Sequence, residues 1–227
     1  MKEAKISEMF LSLQGEGIYM GIPQLFIRFY GCDLSCDFCD TKPTSYKTFT
    51  PDSLMSKILE YKETYHSISL TGGEPLCQVA FIKTFLEEYK KYHKKMIYLE
   101  TNGSLYKALP KIIEHVDIIA MDFKLPSSTL GLPLWKEHER FLRISSRKEV
   151  FVKSIITQNT TSEDIIRMIK IVGSVSDEIP IVLQPATVSD NNKKVTRNRL
   201  SELRDIAKKT MRRVEIIPQI HKEMGIR

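Results

Sequence analysis

Short apolar runs and helical stretches alternate along almost all of this chain. Strand-like runs occupy residues 24–30 (QLFIRFY), 67–71 (SISLT), 96–100 (MIYLE), 117–121 (DIIAM), 149–156 (EVFVKSII), 179–183 (IPIVL) and 213–217. Helical patterns fill residues 51–61, 78–91, 105–115, 134–143, 162–172 and 196–209. Such alternation argues for a parallel sheet joined by right-handed crossovers. A full eight-unit (β/α) barrel takes about 250 residues, and this chain has 227. The expected fold is therefore α/β, a partial (β/α) barrel with a mostly parallel sheet, in one domain spanning residues 1–227.

Local signals set the expected boundaries. Thr50 is an N-cap candidate before Pro51, and Ser162 another, with Glu163 and Asp164 in its first turn. Gly173 suits a C-cap. Pro110 breaks or restarts the helix over 105–115. Pro126 stops regular structure, leaving 125–147 as a loop plus the short helix, with the sole tryptophan, Trp135. Residues 191–194 read as a polar loop.

Three of the four cysteines, Cys32, Cys36 and Cys39, fall in RFYGCDLSCDFCDT with spacing C-x3-C-x2-C. One loop can then wrap three corners of an iron–sulfur cubane and leave one iron open. Tetrahedral zinc wants a fourth Cys or His nearby, and His66 and Cys77 lie far downstream. Three clustered cysteines cannot all pair as disulfides. Cys77 reads as a packed or free thiol, with a fourth cluster ligand as the alternative.

Other motifs flank the cysteine loop. In LQGEG (residues 13–17), Gly15 and Gly17 permit tight geometry that lets Gln14 and Glu16 face one ligand, or simply a surface turn. Arg28 interrupts an apolar strand, which is costly unless it is paired. It would face a carboxylate, from substrate or from Glu16, or else form a structural ion pair. Gly72-Gly73-Glu74-Pro75 follows the 67–71 strand and lets backbone approach a ligand, or is a plain strand-to-helix turn. Cys32 to Cys39, Thr71 to Glu74, Glu100 to Gly103, Asp122 to Lys124 and Gln184 all follow strands, at the ligand-binding edge of a parallel sheet.

Hydrophobic content of 42% and charged content of 27% are ordinary for a globular protein. No apolar run approaches the ~20 residues of a membrane span, and the N-terminus has no signal-peptide core. A cytoplasmic location and no membrane partner are expected. The formal charge of +6 comes from dispersed lysines and arginines, so no nucleic-acid partner is expected. The densest basic run, residues 89–95, sits at a helix end, where the dipole favours cations.

The cysteine spacing, with Phe38 before the last cysteine, resembles the cluster loop of radical S-adenosylmethionine (SAM) enzymes. LQGEG, FIRFYGC, CDFCDT, TGGEP, LETNG, LQP and PQIHKEMG together resemble the 7-carboxy-7-deazaguanine synthases, across most of the chain. LQGEG with CDT after the cluster is the discriminating combination. The resemblance implies a radical SAM barrel and conversion of 6-carboxy-5,6,7,8-tetrahydropterin to 7-carboxy-7-deazaguanine, with loss of ammonia, for queuosine-type 7-deazapurines. It implies a 4Fe-4S cluster on Cys32, Cys36 and Cys39, with SAM chelating the open iron and yielding a 5′-deoxyadenosyl radical. SAM would be a reusable cofactor and Mg2+ would assist, held by Thr41.

SAM contacts are implied at Phe38, Asp40, Gly73, Glu74, Asp122, Phe123, Lys124, Gln184, Pro185, Ala186 and Thr187. Substrate contacts are implied at Leu13, Gln14, Gly15, Glu16, Arg28 and Thr71. The family often has serine–proline–lysine where this chain has Asp122-Phe123-Lys124, so Lys124 transfers best. A flavodoxin- or ferredoxin-type reductant and a homodimer are also implied. The C-terminal end is expected to close over substrate. A glycyl-radical activase and a zinc- or cluster-bearing nucleic-acid module each explain fewer of these motifs.

Overall fold

The computed structural model describes residues 3–36, 39, 43–187 and 194–220. Nine strands form one sheet: β1 Ala4–Leu13, β2 Pro23–Phe29, β3 Lys47–Phe49, β4 Ser67–Gly72, β5 Met96–Thr101, β6 Ile118–Asp122, β7 Glu149–Ile156, β8 Ile181–Pro185 and β9 Val214–Ile216. Their order is β3-β1-β2-β4-β5-β6-β7-β8-β9. From β2 to β9 every neighbouring pair is parallel. β1 runs antiparallel to both β2 and β3. The helices are α1 Pro51–Leu59, α2 Val79–Tyr92, α3 Pro126–Thr129, α4 Trp135–Ser145, α5 Ser162–Gly173 and α6 Arg197–Lys208.

The sheet is open, since β3 and β9 end the order without pairing to each other. It is nevertheless curled. Ile220, beyond β9, donates its backbone N–H to the carbonyl of Gly15, beyond β1, at 3.1 Å. This is the partial barrel expected from strand–helix alternation.

The central strands are apolar on both faces because both faces are buried. On β6, Ile119 and Met121 join the core beneath the helices. Ile118 and Ala120 point the other way, into a smaller core with Tyr98, Phe151, Val182 and Ile217. The turn Gly17–Tyr19 plugs that smaller core, with Tyr19 edge-on to Tyr98 at 5.5 Å. The opposite end of the barrel, at the C-terminal strand ends, is left for a site.

Some boundaries differ from expectation. Residues 4–13 gave no strand signal, yet they form the long β1. Its pairing with β2 shifts register between Ile6 and Glu8, which breaks clean alternation. The helix expected over 105–115 is two 3-10 turns, Leu109–Lys111 and Ile113–His115, because Pro110 supplies no backbone N–H. Pro126 does not stop the structure; it opens α3, where its missing donor costs nothing. The α5 N-cap is Thr161, whose hydroxyl accepts from the Asp164 N–H at 3.2 Å, and Gly173 is the last helical residue rather than the cap. Thr50 caps α1 as expected, in a reciprocal pair with Ser53. Of the polar loop at 191–194, only Lys194 is among the described residues.

One seam locks the first parallel pair. Gly73 donates its N–H to the Phe29 carbonyl at 3.1 Å, and Glu74 to that of Gly31 at 2.9 Å. A Cβ on Gly72 would sit 2.2 Å from the Phe29 oxygen, and Gly72 has φ of 132°. No side chain fits there, and few L-residues adopt that backbone. Gly72→Ala is expected to destabilise the fold by at least ~2 kcal/mol, read as the shift of a urea or thermal unfolding midpoint. A midpoint equal to wild type would show that the seam can relax.

Candidate active site

A cavity of about 240 Å³ opens at the C-terminal ends of the strands. The substrate-type residues Leu13, Gln14, Gly15, Glu16, Arg28 and Thr71 all line it, as do Cys32, Cys36 and Cys39. Of the SAM-type set, Gly73, Asp122, Lys124, Ala186 and Thr187 line it. Phe38, Asp40 and Thr41 lie outside the described residues.

Glu16 holds the LQGEG loop inward. Its carboxylate pairs with Lys153 of β7 and accepts from the Gln219 amide at 2.7 Å. Burial opposes ionisation of Glu16. The Lys153 charge, with hydrogen bonds from Lys153 and Gln219, outweighs it and brings the pKa to about 2. Burial likewise works against the Lys153 ammonium, but Glu16, Asp122 and Glu100 raise its pKa well above the ordinary lysine value. Asp122 accepts from Lys124 at 2.8 Å and lies 3.9 Å from Lys153. Two buried cations therefore interleave with three carboxylates.

A second network fixes Gln14. Its amide nitrogen donates to Glu100 at 2.7 Å and to Gln24 at 3.1 Å, and its oxygen accepts from the Glu16 N–H at 3.1 Å. Thr71 donates to the other Glu100 oxygen at 2.9 Å. Arg28 does not pair with Glu16. Its Nε is 3.5 Å from Glu8, its register partner on β1, and its guanidinium lies 5.7 Å from the Phe10 ring centre. The Glu16 alternative fails because Lys153 occupies that carboxylate; the structural ion pair and cavity exposure are both present.

The cluster loop leans on β5. Asn102 donates to Asp33 at 2.9 Å, Ser104 donates to the other Asp33 oxygen, and Asn102 reaches the Cys32 sulfur at 3.9 Å. The Leu34 N–H donates to the same sulfur at 3.4 Å. Burial pushes the Cys32 and Cys36 thiols up, while Lys124 works against this at Cys36. Burial also opposes the Lys124 ammonium, yet Asp122 and Cys36 hold its pKa above the ordinary value. All three cysteines line the cavity, but among the described residues no three Cys, His, Asp or Glu side chains are drawn together as one metal-binding group; the N–H donors at the Cys32 sulfur and the cation beside Cys36 suit thiolate character.

Some expected contacts are turned away. The Glu74 carboxylate is fully buried, accepting from Leu76 N at 3.0 Å, Thr101 Oγ1 at 2.9 Å and Asn102 N at 2.7 Å. Burial pushes it up to about 7 against those donors. Phe123 is buried against His138, ring centres 4.2 Å apart. Gln184 is buried and Pro185 half-buried, and neither lines the cavity. Cys77 opens on a separate depression with Asp33, Leu105 and Lys111, and burial, with Asp33, Glu74 and Cys32 as neighbours, pushes its thiol up to about 11.

Sequence reasoning gave Lys153 no role, and it placed Glu100, Asp33, Asn102 and Gln219 within motifs without assigning them contacts. For Lys153 the signal was there: a lysine in the apolar run EVFVKSII raises the same pairing question as Arg28.

Residues 26–183 match the model of the Radical SAM superfamily. The 7-carboxy-7-deazaguanine synthase of Geobacter sulfurreducens is 34% identical, over 98% of this chain and 97% of its own length. That of Methanothermobacter thermautotrophicus is 33% identical, over 100% and 99%. The chain belongs to the 7-carboxy-7-deazaguanine synthase family of radical SAM enzymes. QueE from Escherichia coli has the same fold, with TM-score 0.61 and 20% identity over 94% of this chain and 93% of that one. The radical SAM match begins inside β2 and ends inside β8. Gln14, Glu16 and Gln219 lie outside it, so this wall of the cavity is built by the segments that flank the superfamily core.

His138 ties α4 to this site. It is fully buried, and its Nε2 lies 3.0 Å from the Asn102 carbonyl. Burial lowers its pKa from 6.5 to about 4. The folded state therefore resists a proton that the unfolded chain takes up below pH 6.5. Stability should fall as pH drops from 6.5 towards 4, by about 1.4 kcal/mol per pH unit from this group. His138→Gln should flatten that component in denaturant titrations across the window; an unchanged slope would contradict it.

Proposed function

We propose that this enzyme converts 6-carboxy-5,6,7,8-tetrahydropterin to 7-carboxy-7-deazaguanine with release of ammonia, supplying queuosine-type 7-deazapurines. The observation that carries the reading is one cavity lined both by the three cysteines and by Gln14, Glu16, Arg28, Thr71 and Glu100. Family membership supports the same substrate. On this reading Cys32, Cys36 and Cys39 hold a 4Fe-4S cluster, and backbone at Gly73 takes the SAM amine. Lys124, Ala186 and Thr187 flank SAM. Thr41 takes Mg2+, which accepts hydroxyl, substrate and water oxygens. When bound, cluster and SAM supply the radical that abstracts hydrogen from substrate.

The chain's own groups bind and orient. Arg28 offers its guanidinium to the substrate carboxylate. Glu16 and Glu100, both lining the cavity, accept from pterin N–H groups, while the fixed Gln14 amide sets the ring's register. The apolar stack of Phe10 on Phe26, ring centres 5.1 Å apart, shields one side from water. The reading further includes one radical SAM domain working as a cytoplasmic homodimer, fed by a flavodoxin- or ferredoxin-type donor; the family resemblance supports these. Among the described residues no helix is long and apolar enough to cross a membrane.

The test is anaerobic. The protein is reconstituted with iron and sulfide, reduced, and given SAM, Mg2+ and the pterin. The reading expects 7-carboxy-7-deazaguanine by mass spectrometry, in excess of SAM consumed. SAM cleavage without product would point to an activase or another small substrate. Arg28→Ala is expected to weaken pterin binding by roughly 10- to 100-fold, the loss of a charge-assisted hydrogen bond. Calorimetry that finds equal affinity would remove the carboxylate role.

A further inference from the structure

We propose that Lys153 is a positioning residue for the substrate: its ammonium, reaching from β7 into the cavity, holds the Glu16 carboxylate and, through it, the Gln14–Glu16 loop. The inference rests on the reading of this cavity as the pterin site.

The geometry is specific. Lys153 stands in mid-strand on β7, among side chains that are all buried except at the strand's first residue. Its side chain is only 11% exposed, and that of Glu16 18%, yet both line the cavity. One Glu16 oxygen takes Lys153 and the other takes Gln219. Each carboxylate oxygen accepts about two hydrogen bonds, so each keeps a site for a substrate N–H. Breaking a buried pair leaves an uncompensated charge. Without Lys153, Glu16 would keep only neutral donors and would take up a proton or swing out.

The remaining groups do not replace Lys153. Glu16 is faced by Lys153 from β7, by Gln219 beyond β9, by Gln184 from β8 and by Tyr98 from β5. Lys153 is the cation among them. Lys153 in turn faces Glu16, Asp122 and Glu100, with Lys124 as its like-charged neighbour. Asp122 has Lys124 as its own partner at 2.8 Å, so Glu16 is the group that loses most when Lys153 is removed.

The test uses cluster-loaded enzyme with SAM. Wild-type turnover of the pterin checks the underlying reading first and separately. Lys153→Met, and Lys153→Gln should the first not fold, are expected to weaken pterin binding at least tenfold. Cluster absorbance and SAM affinity should be unchanged. Their kcat/KM should gain an acid limb between pH 5.5 and 8, where wild type is flat, because a lone buried Glu16 now titrates. Glu16→Gln in the same background should abolish that limb, and Lys153→Arg should restore the wild-type profile. With wild type active, a Lys153→Met enzyme with unchanged affinity and a flat profile would overturn the inference. So would a further loss on adding Lys153→Met to Glu16→Gln, since Lys153 would then act on substrate directly.

Discussion

The buried ion pair between Glu16 and Lys153 holds together what the sheet leaves open. Among the described residues the sheet ends at β3 on one side and β9 on the other, with no hydrogen-bonded ladder closing it. The loop after β1 is instead drawn to β7 by the ion pair, and to the segment after β9 by Gln219 and Ile220. Such a pair is costly to desolvate, and a well-packed apolar contact would serve stability as well. Its value here is placement: it puts a carboxylate of known orientation at the wall of a cavity.

The other wall rests first on main-chain packing. The Gly72–Gly73 turn lies directly on the backbone of residues 29–31, which lead into the cluster loop. From there polar contacts run in sequence. Glu74 collects donors from the β5 loop at Thr101 and Asn102, and Asn102 reaches back to Asp33 beside Cys32. His138 supports the Asn102 carbonyl from the helix layer. The cluster loop is thus fixed by main-chain packing and neutral or single-carboxylate bonds, and the substrate loop by interleaved charges. The two walls meet near Lys124, which contacts Asp122 and influences Cys36.

Much of this was legible in the chain. The alternation of apolar runs and helical stretches gave the parallel strands, and the cysteine spacing and glycine pair marked the site edge. β1 was not legible, because a strand with one partly exposed face and a register shift lacks the period-2 pattern of an apolar run. The helix at 105–115 was overcalled because its apolar spacing outweighed Pro110. Lys153 carries no motif, and the motifs that hold Glu100 and Gln219 do not say what those side chains touch. Their roles come from tertiary placement, and only the oddity of charge within apolar strands hinted at them. Arg28 was rightly read as needing a partner, but that partner is its cross-strand neighbour Glu8.

The central claim is that one cavity presents the pterin to the cluster-bound cofactor. An anaerobic crystal structure of the reconstituted enzyme with SAM, Mg2+ and 6-carboxytetrahydropterin tests it most directly. The account predicts the substrate carboxylate against Arg28, its ring N–H groups against Glu16 and Glu100, and SAM between the ring and Cys32, Cys36 and Cys39. Pterin density elsewhere, with Glu16 and Lys153 still paired and untouched, would contradict it.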